Sequence, residues 1–554
     1  MLKKTLHVLW LLLVALLVLI AVALTAARVW IPEASVYRGE VERTASELLN
    51  KRVTIGRMRA SWRATNPVIR LGNVEVSDPA GEHAPLVIRE VRVTIDAEQY
   101  LSQQKIKLAG IDVIGADVTV LRDSNGVVFL EGFRPEEDSE FLTELLQMAL
   151  TVHDVNVTYK DKQSEDPPLR FSSVSMSLRS QGETHTLTGH VLLPEQVGYR
   201  ADVEAVLHGP GGNLQDWQGR VYIQGESIAL TEVLGRLLTD DQVVEGVADL
   251  RLWFSIGNDG LDSLSGEIDT ESLTISQHGE KRSYTFAADA LRGQFGWRQY
   301  GEGWQFAVQN VLVRQQQGSW TTPNLSLAGR QDDQGLSISG ESSLLVLDGF
   351  GALLPIIPGL SVEHRQLLGG LQPSGSIKDL VFSISSNDKE TRVRHFSARF
   401  SGLSIEQSGV FPKLAGLDGR VLGDSESGTL TFASYNAGVY DDRLFRELLP
   451  VDSAEGEVSW QLNDGVMEIA TDALTIKNAD LSLDMKMGLY LPLDAGEPSI
   501  NLAIDVEHLD IGREGVELPA QGMSPRGGAW LDRSRRGGVG TDGPVRLTGR
   551  RARG

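Results

Sequence analysis

Ten histidines are the first residues to test for chemistry, since imidazole binds metals and moves protons near neutral pH. They stand at positions 7, 83, 153, 185, 190, 208, 278, 364, 395 and 508. No pair has the HExxH spacing that sets two imidazoles on one helix face. His185 and His190 are five apart in a strand-like context, which sends them to opposite faces. Both are expected to be solvated polar-face residues. Cysteine is absent, which removes disulfides, Cys-held zinc and iron–sulfur clusters, and thiol catalysis. There is no GxSxG elbow and no Walker A loop. One GxGxxG match, Gly538 to Gly543, follows an Arg-rich stretch instead of a strand and opens no helix, so it is a chance match. The glycine-rich run from His208 to Gly212 carries no lysine and is expected to be a loop. Ser386 and Lys389 have SxxK spacing, but within a polar turn and without partner motifs. Carboxylates are plentiful, yet none is singled out by its setting. The sequence therefore predicts no catalytic residue, no metal, no cofactor and no enzyme.

What the chain does repeat is an apolar residue at every second position. Val91, Val93 and Ile95 alternate with polar residues, as do Val118 and Val120, Val155 and Val157, and Val203 between Ala201 and Ala205. Val221 and Ile223, Leu250 and Leu252, Phe306 and Val308, and Leu481 and Leu483 continue the pattern. Each stretch predicts a strand with one apolar and one polar face. These sixteen residues are the candidate lining of an apolar surface, with the apolar side assumed to be the concave one. Aliphatic residues of middling size with few aromatics make a soft surface, as an acyl chain requires. Packed sheets, a barrel, or one long curled sheet would each suit such strands. Composition leaves all three open.

The elements around these strands are short. Asn258-Asp259-Gly260, Ser124-Asn125-Gly126, Asp418-Gly419 and Asp464-Gly465 fit turn and hairpin chemistry and predict antiparallel neighbours. Amphipathic helices are predicted at Glu40–Lys51, with Val41, Ala45, Leu48 and Leu49 on one face, and at Ser139–Thr151. Ile228–Leu238, Leu345–Leu354 and Asp442–Leu449 resemble one another. Each predicts a short helix ahead of a strand opened by a glycine, Gly246, Gly375 or Gly456, as in a degenerate repeat.

The two ends differ from the middle. Lys3 and Lys4 precede an apolar run from Leu6 to Ala27, which at about 1.5 Å per residue spans about 33 Å. Leu6, Trp10, Leu17, Ile20 and Ala27 belong to this predicted anchor, with Arg28 and Trp30 as interfacial residues. The lysines put the N-terminus in the cytoplasm. Lys+Arg is 52 against Asp+Glu 74, a net charge of −22, which argues against a nucleic-acid partner. Ser524–Gly554 holds eight Arg and two Asp, a net +6, so the preceding residues carry −28.

Several stretches in order carry a resemblance. Arg43 to Gly56 after the anchor, then Pro67 to Val76, is similar to the start of AsmA-like proteins. Gly293 to Phe306, and Leu518-Pro519 followed by Met523-Ser524-Pro525 and Ala529 to Arg533, resemble the YhdP branch. This resemblance implies a mainly β fold, in which one transmembrane helix is followed by a long curled antiparallel β-sheet forming an apolar groove. It implies an inner-membrane protein of a Gram-negative envelope, with its bulk in the periplasm and phospholipids as partners. The function implied is lipid transfer between inner and outer membrane. A non-enzymatic scaffold or assembly factor that contacts outer-membrane or envelope proteins is the alternative. The implied layout is a cytoplasmic end (1–5), an anchor (6–27), a linker and amphipathic helix (28–52), and an elongated β-groove region (53–523). An Arg- and Gly-rich tail (524–554) follows. After Arg533 the resemblance stops, and a truncated or frameshifted reading frame is the expectation for the tail.

Overall fold

The computed structural model describes residues 35–78, 84–99, 107–132, 148–164, 167–210, 216–235, 238–279, 282–357, 360–387, 391–443, 447–493, 499–510, 539–540 and 543–550. Residues 125, 240, 317, 334 and 410 are omitted from these ranges, and Val14 and Val18 stand alone before them. The anchor residues Leu6, Trp10, Leu17, Ile20, Ala27, Arg28 and Trp30 thus lie outside the described residues. Among the described residues no helix is long and apolar enough to cross a membrane.

The protein is mainly β and mostly antiparallel, as predicted. It divides into two compact units, residues 1–228 with 249–262, and residues 229–248 with 263–554. The first unit opens with helix α1 (Arg38–Leu49) and strands β1 (Arg52–Arg63), β2 (Asn66–Ser77), β3 (Leu86–Ile95) and β4 (Leu108–Arg122). A short β5 (Val128–Leu130) folds back on β4. Then come β6 (Ala149–Asp161), β7 (Leu169–Gln181), β8 (Thr184–Leu192), β9 (Arg200–His208) and β10 (Gln218–Ala229). Each pairs with its neighbour in antiparallel register except β4 and β6, which run parallel. A parallel pair needs a crossover longer than a hairpin, and residues 131–148 supply it. The predicted helix Ser139–Thr151 falls there. Residues 139–147 lie outside the described residues, and Ala149 to Thr151 begin β6 instead of ending a helix.

Strand β11 (Gln242–Gly257) and strand β12 (Gly260–Gln277) meet at the predicted Asn258-Asp259 turn. The second unit continues with α2 (Leu230–Leu234), β13 (Tyr284–Ala288), β14 (Ala290–Tyr300), β15 (Gly303–Gln315), β16 (Gly318–Asp332) and β17 (Gly335–Val346). A helical strap follows, made of α3 (Leu347–Phe350), a 3₁₀ turn (Gly351–Ile356) and α4 (Val362–Leu371). Antiparallel strands then resume with β18 (Ser374–Ser386), β19 (Thr391–Ile405), β20 (Lys413–Gly423), β21 (Ser427–Tyr440), β22 (Leu449–Asn463), β23 (Val466–Lys477), β24 (Leu481–Pro492) and β25 (Ser499–Asp510). The backbone of β26 (Val539–Gly540) and β27 (Gly543–Arg550) pairs with β25, so part of the Arg- and Gly-rich tail takes strand form.

Several local expectations are corrected. Leu48 is exposed, while Val41, Ala45 and Leu49 pack on the core as predicted. Asp418-Gly419 lies inside β20 and is not a hairpin, whereas Asp464-Gly465 turns with both residues at positive φ. Asp442 and Arg443 form a turn and Leu449 already begins β22, so no helix is described there. Gly246, Gly375 and Gly456 sit within strands instead of opening them. Gly246 has φ +149, and a Cβ there would meet the Ser272 carbonyl oxygen. Gly246→Ala is therefore expected to cost about 1–3 kcal/mol. The measurement is the midpoint of urea unfolding, and an unchanged midpoint would show that the strand yields freely.

Candidate functional site

Directly paired residues of neighbouring strands point to the same side of a sheet. In the first unit this places Met58, Leu71, Val91, Val113, Val152, Met176, Gly189, Val203 and Ile223 in one row across nine strands. A second row on the same side runs Ala60, Ile69, Val93, Ile111, Leu150, Leu178, Leu187, Ala205 and Val221. The row between them, on the opposite side, is polar throughout: Arg59, Arg70, Arg92, Asp112, Thr151, Ser177, Thr188, Glu204 and Tyr222. Parity in the sequence has become two faces of one sheet, with strand register keeping them separate.

The second unit repeats the design with larger side chains. Leu264, Trp297, Phe306, Leu327, Gly340, Phe382, Phe396, Gly423, Gly428, Trp460, Ile469, Leu489 and Ile500 form one row. Rings lean over the glycines between them. Phe396 and Trp460 stack with centroids 5.8 Å apart and planes 10° from parallel. Gly423 and Gly428 occupy the strands between, and a Cβ on either would meet the Trp460 ring. Glycine here supplies the gap that an aromatic neighbour fills.

Each apolar face has a covered end. In the first unit α1 lies over Val53, Ile55, Val74, Val76 and Ile88, all buried. The Ile55 amide donates to Glu42 Oε1 at 2.7 Å and the Val53 amide to Ser46 Oγ at 3.0 Å, which pins the helix to β1. In the second unit Phe286, Val313 and Trp320 are buried, β13 packs against the 3₁₀ turn of the strap, and Gly349 of α3 lies against the Trp320 indole. The buried Gln242 amide donates to the Ile356 carbonyl at 3.0 Å. Arg365 of α4 faces Asp241. The Thr239 hydroxyl, then the Gln277 amide and Arg365, hold the Asp241 carboxyl below the usual carboxylate range, against partial burial.

Beyond these covered ends the apolar face is mostly half-buried, with Leu178 and Ala205 buried, and most of the sixteen predicted lining residues stand there. Val91, Val93, Ile95, Val118, Val120, Val157, Val203, Val221, Ile223, Leu250, Leu252, Phe306, Val308 and Leu483 are neither buried nor fully exposed. Two depart from the expected pattern: Val155, 4% exposed, is core beneath α1, and Leu481, 9% exposed, is also buried. Val91, Val118 and Val157 pack beside that core. Val118 pairs with Val157, and Val120 with Tyr159, while Leu483 lies in a row with Ala454, Ile476 and Val506.

The passage from covered end to open stretch is marked by a seam of irregular residues that the sequence reading missed. Gly56, Asn73, Arg89 and Gly115 stand opposite one another from β1 to β4, with Asp154 next on β6. Asn73, Gly115 and Asp154 have positive φ, as do Asn310, Asp379, Gly402, Gly416 and Asn436 in the second unit. Each advances the alternation by one residue, so Val74 and Val76 share a face with Leu71 and Ile69. Arg89 Nη2 bonds Asp154 Oδ2 across the seam at 3.0 Å.

His185 is another correction. It is 1% exposed, not solvated, and stacks on Trp217 at 3.9 Å. Its Nδ1 meets Ser180 Oγ at 2.8 Å and its Nε2 meets the Gly209 carbonyl at 3.1 Å. Carbonyl oxygen only accepts, so Nε2 carries a proton and donates it to the Gly209 carbonyl. Among the described residues no group of three His, Asp or Glu could hold a metal ion.

A family model described as "YhdP protein" matches residues 1–553. The chain belongs to the YhdP family. The match takes in the Arg- and Gly-rich residues that the sequence reading had set apart from YhdP. One curated relative is described as "Intermembrane phospholipid transporter YhdP" of Escherichia coli (strain K12). It is 23% identical over 471 residues, covering 81% of this chain and 35% of that protein. The chain thus spans about a third of the length of the curated YhdP that it matches.

Proposed function

We propose that this chain is a non-enzymatic, membrane-anchored conduit for phospholipid between the inner and outer membrane. Its N-terminus lies in the cytoplasm, residues 6–27 cross the inner membrane, and the β units stand in the periplasm. The acyl chains lie along the open stretch of each apolar face. The observation that carries this reading is the pair of unbroken apolar rows, in register across nine strands, in which all but Met58, Leu71, Leu178 and Ala205 are only half-buried. A core would bury such residues, and a soluble surface would not align them. Family membership and the E. coli relative, an intermembrane phospholipid transporter, support the same substrate.

The energetic need is large. Each CH₂ exposed to water costs about 0.8 kcal/mol, so two sixteen-carbon chains resist desorption by on the order of 20 kcal/mol. An open apolar face removes most of that barrier while the head group stays in water. The rows contain no polar side chain that would grip a particular head group, which suits passage better than tight binding.

Native mass spectrometry of the chain, gently released from membranes, tests the reading. Several phospholipids per chain are expected, and they should exchange with added labelled lipid. Lipid-free protein would favour a scaffold with a dry face instead.

A further inference from the structure

The polar face of β1–β3 breaks the acidic character of the chain. From Lys51 to Asn73 the sequence holds Lys51, Arg52, Arg57, Arg59, Arg63 and Arg70 and no Asp or Glu, in a protein of net charge −22. Register brings Arg59, Arg70 and Arg92 side by side on three adjacent strands. Arg57 stands opposite Gly72, one row along on the same face. Like charges directly opposed across strands repel, so folding alone gives no reason to gather them. Arg63 bonds Asp112 at 3.0 Å, and Arg92 is paired with Glu90. Arg57, Arg59 and Arg70 are exposed and have no carboxylate partner among the described residues.

We propose that this arginine face docks on the anionic phospholipid head groups of the membrane surface from which the chain emerges. Guanidinium matches phosphate geometry through paired N–H donors. Ten residues, 28–37, separate the apolar run from α1, a reach of at most about 35 Å. Helix α1 is bonded to β1, so the arginine face stays near the bilayer on a short tether; this rests on the proposed reading of residues 6–27 as the anchor. The face lies opposite the apolar rows, so the docking holds whether or not those rows carry lipid. A protein partner would also need an acidic surface, but nothing in the structure points to one, whereas the tether points to the membrane.

The absence of cysteine allows a clean label. Thr54, exposed on the arginine face, is changed Thr54→Cys and given a fluorophore in the full chain. Energy transfer to a head-group acceptor is then read in phosphatidylcholine vesicles with and without phosphatidylglycerol. Transfer is expected to be stronger with phosphatidylglycerol than without it, and this excess should fade at high salt as screening shortens the Debye length. Arg57→Gln, Arg59→Gln and Arg70→Gln together should lower the docked-to-undocked ratio about 100-fold, near fivefold per arginine. Among the described residues these side chains make no hydrogen bond or ion pair, so the thermal midpoint should not fall. Transfer that ignores phosphatidylglycerol, or an excess that survives the triple change, overturns the proposal. So does dependence on an added envelope protein in place of the lipid.

Discussion

Val203→Asp combined with Ile223→Asp is expected to slow phospholipid transfer about 100-fold and to strip lipid from the first unit. The two residues are directly paired on β9 and β10 in the open stretch. Both are half-buried, so each new carboxylate can reach water and the fold should survive. An acyl chain sliding past must partly desolvate both carboxylates, and each costs more than an uncharged polar group, for which the cost is about 1–3 kcal/mol. Two such costs on one path exceed the factor of ten that each 1.4 kcal/mol represents. The control is Thr188→Lys, on the polar row beside Glu204, which should leave transfer unchanged. Phe306→Asp with Leu327→Asp, paired in the second unit, should act in the same way. A vesicle-to-vesicle lipid transfer assay and the phospholipid content of the purified variants are the measurements. If both double variants carry and move lipid normally, the apolar face is not the path.

The apolar rows were legible because strand parity survives local noise. Val91, Val93 and Ile95 are enough to name a face, and pairing with Ile69 and Ile111 extends it without new rules. The seam was less legible, although its signal is in the sequence. Val53 and Ile55 are in phase with each other, and so are Met58, Ala60 and Trp62, but the two sets are out of phase. A single phase change in mid-strand marks an irregular residue that turns the same face inward again: Gly56 in β1, and the left-handed Asn73, Gly115 and Asp154 in β2, β4 and β6. Asp418-Gly419 failed for the opposite reason, since hairpin chemistry was assigned to a dipeptide inside a strand. Burial of His185 was out of reach, because it depends on Trp217, 32 residues further on. Helix α4 was missed because Gly369 and Gly370 argue against a helix. The room they leave explains them, as a Cβ on Gly369 would meet Tyr284 and one on Gly370 would meet Ser408. Ser361 caps that helix, accepting from the His364 amide at 3.3 Å.

Covered ends and open stretches divide the work of the sheet, and Phe286→Ala separates them. Phe286 is 1% exposed and lies on β13, which packs against the 3₁₀ turn of the strap. Truncating a buried Phe costs about 3–5 kcal/mol through lost transfer energy and the cavity left behind. Phe306→Ala removes the same atoms from a half-buried site that water can already reach, so about half that loss is expected. The strap should respond before the sheet does. Its attachment relies on Phe286, on the Gln242 bond to Ile356 and on Trp320 over Gly349, whereas the strands retain their ladders. Hydrogen exchange in Phe286→Ala should therefore accelerate first in residues 347–371, with β15 and β16 still protected. Lipid transfer should change little while the sheet holds, because the rows from Phe306 to Leu327 are untouched. If Phe286→Ala proves no more destabilising than Phe306→Ala, the strap is not where the second unit gains its stability. A surface left open for a mobile ligand cannot also supply the packing that fixes the fold, so that stability must come from somewhere else on the sheet. The buried ends beneath α1 and the strap are where the side chains are packed closely enough to provide it.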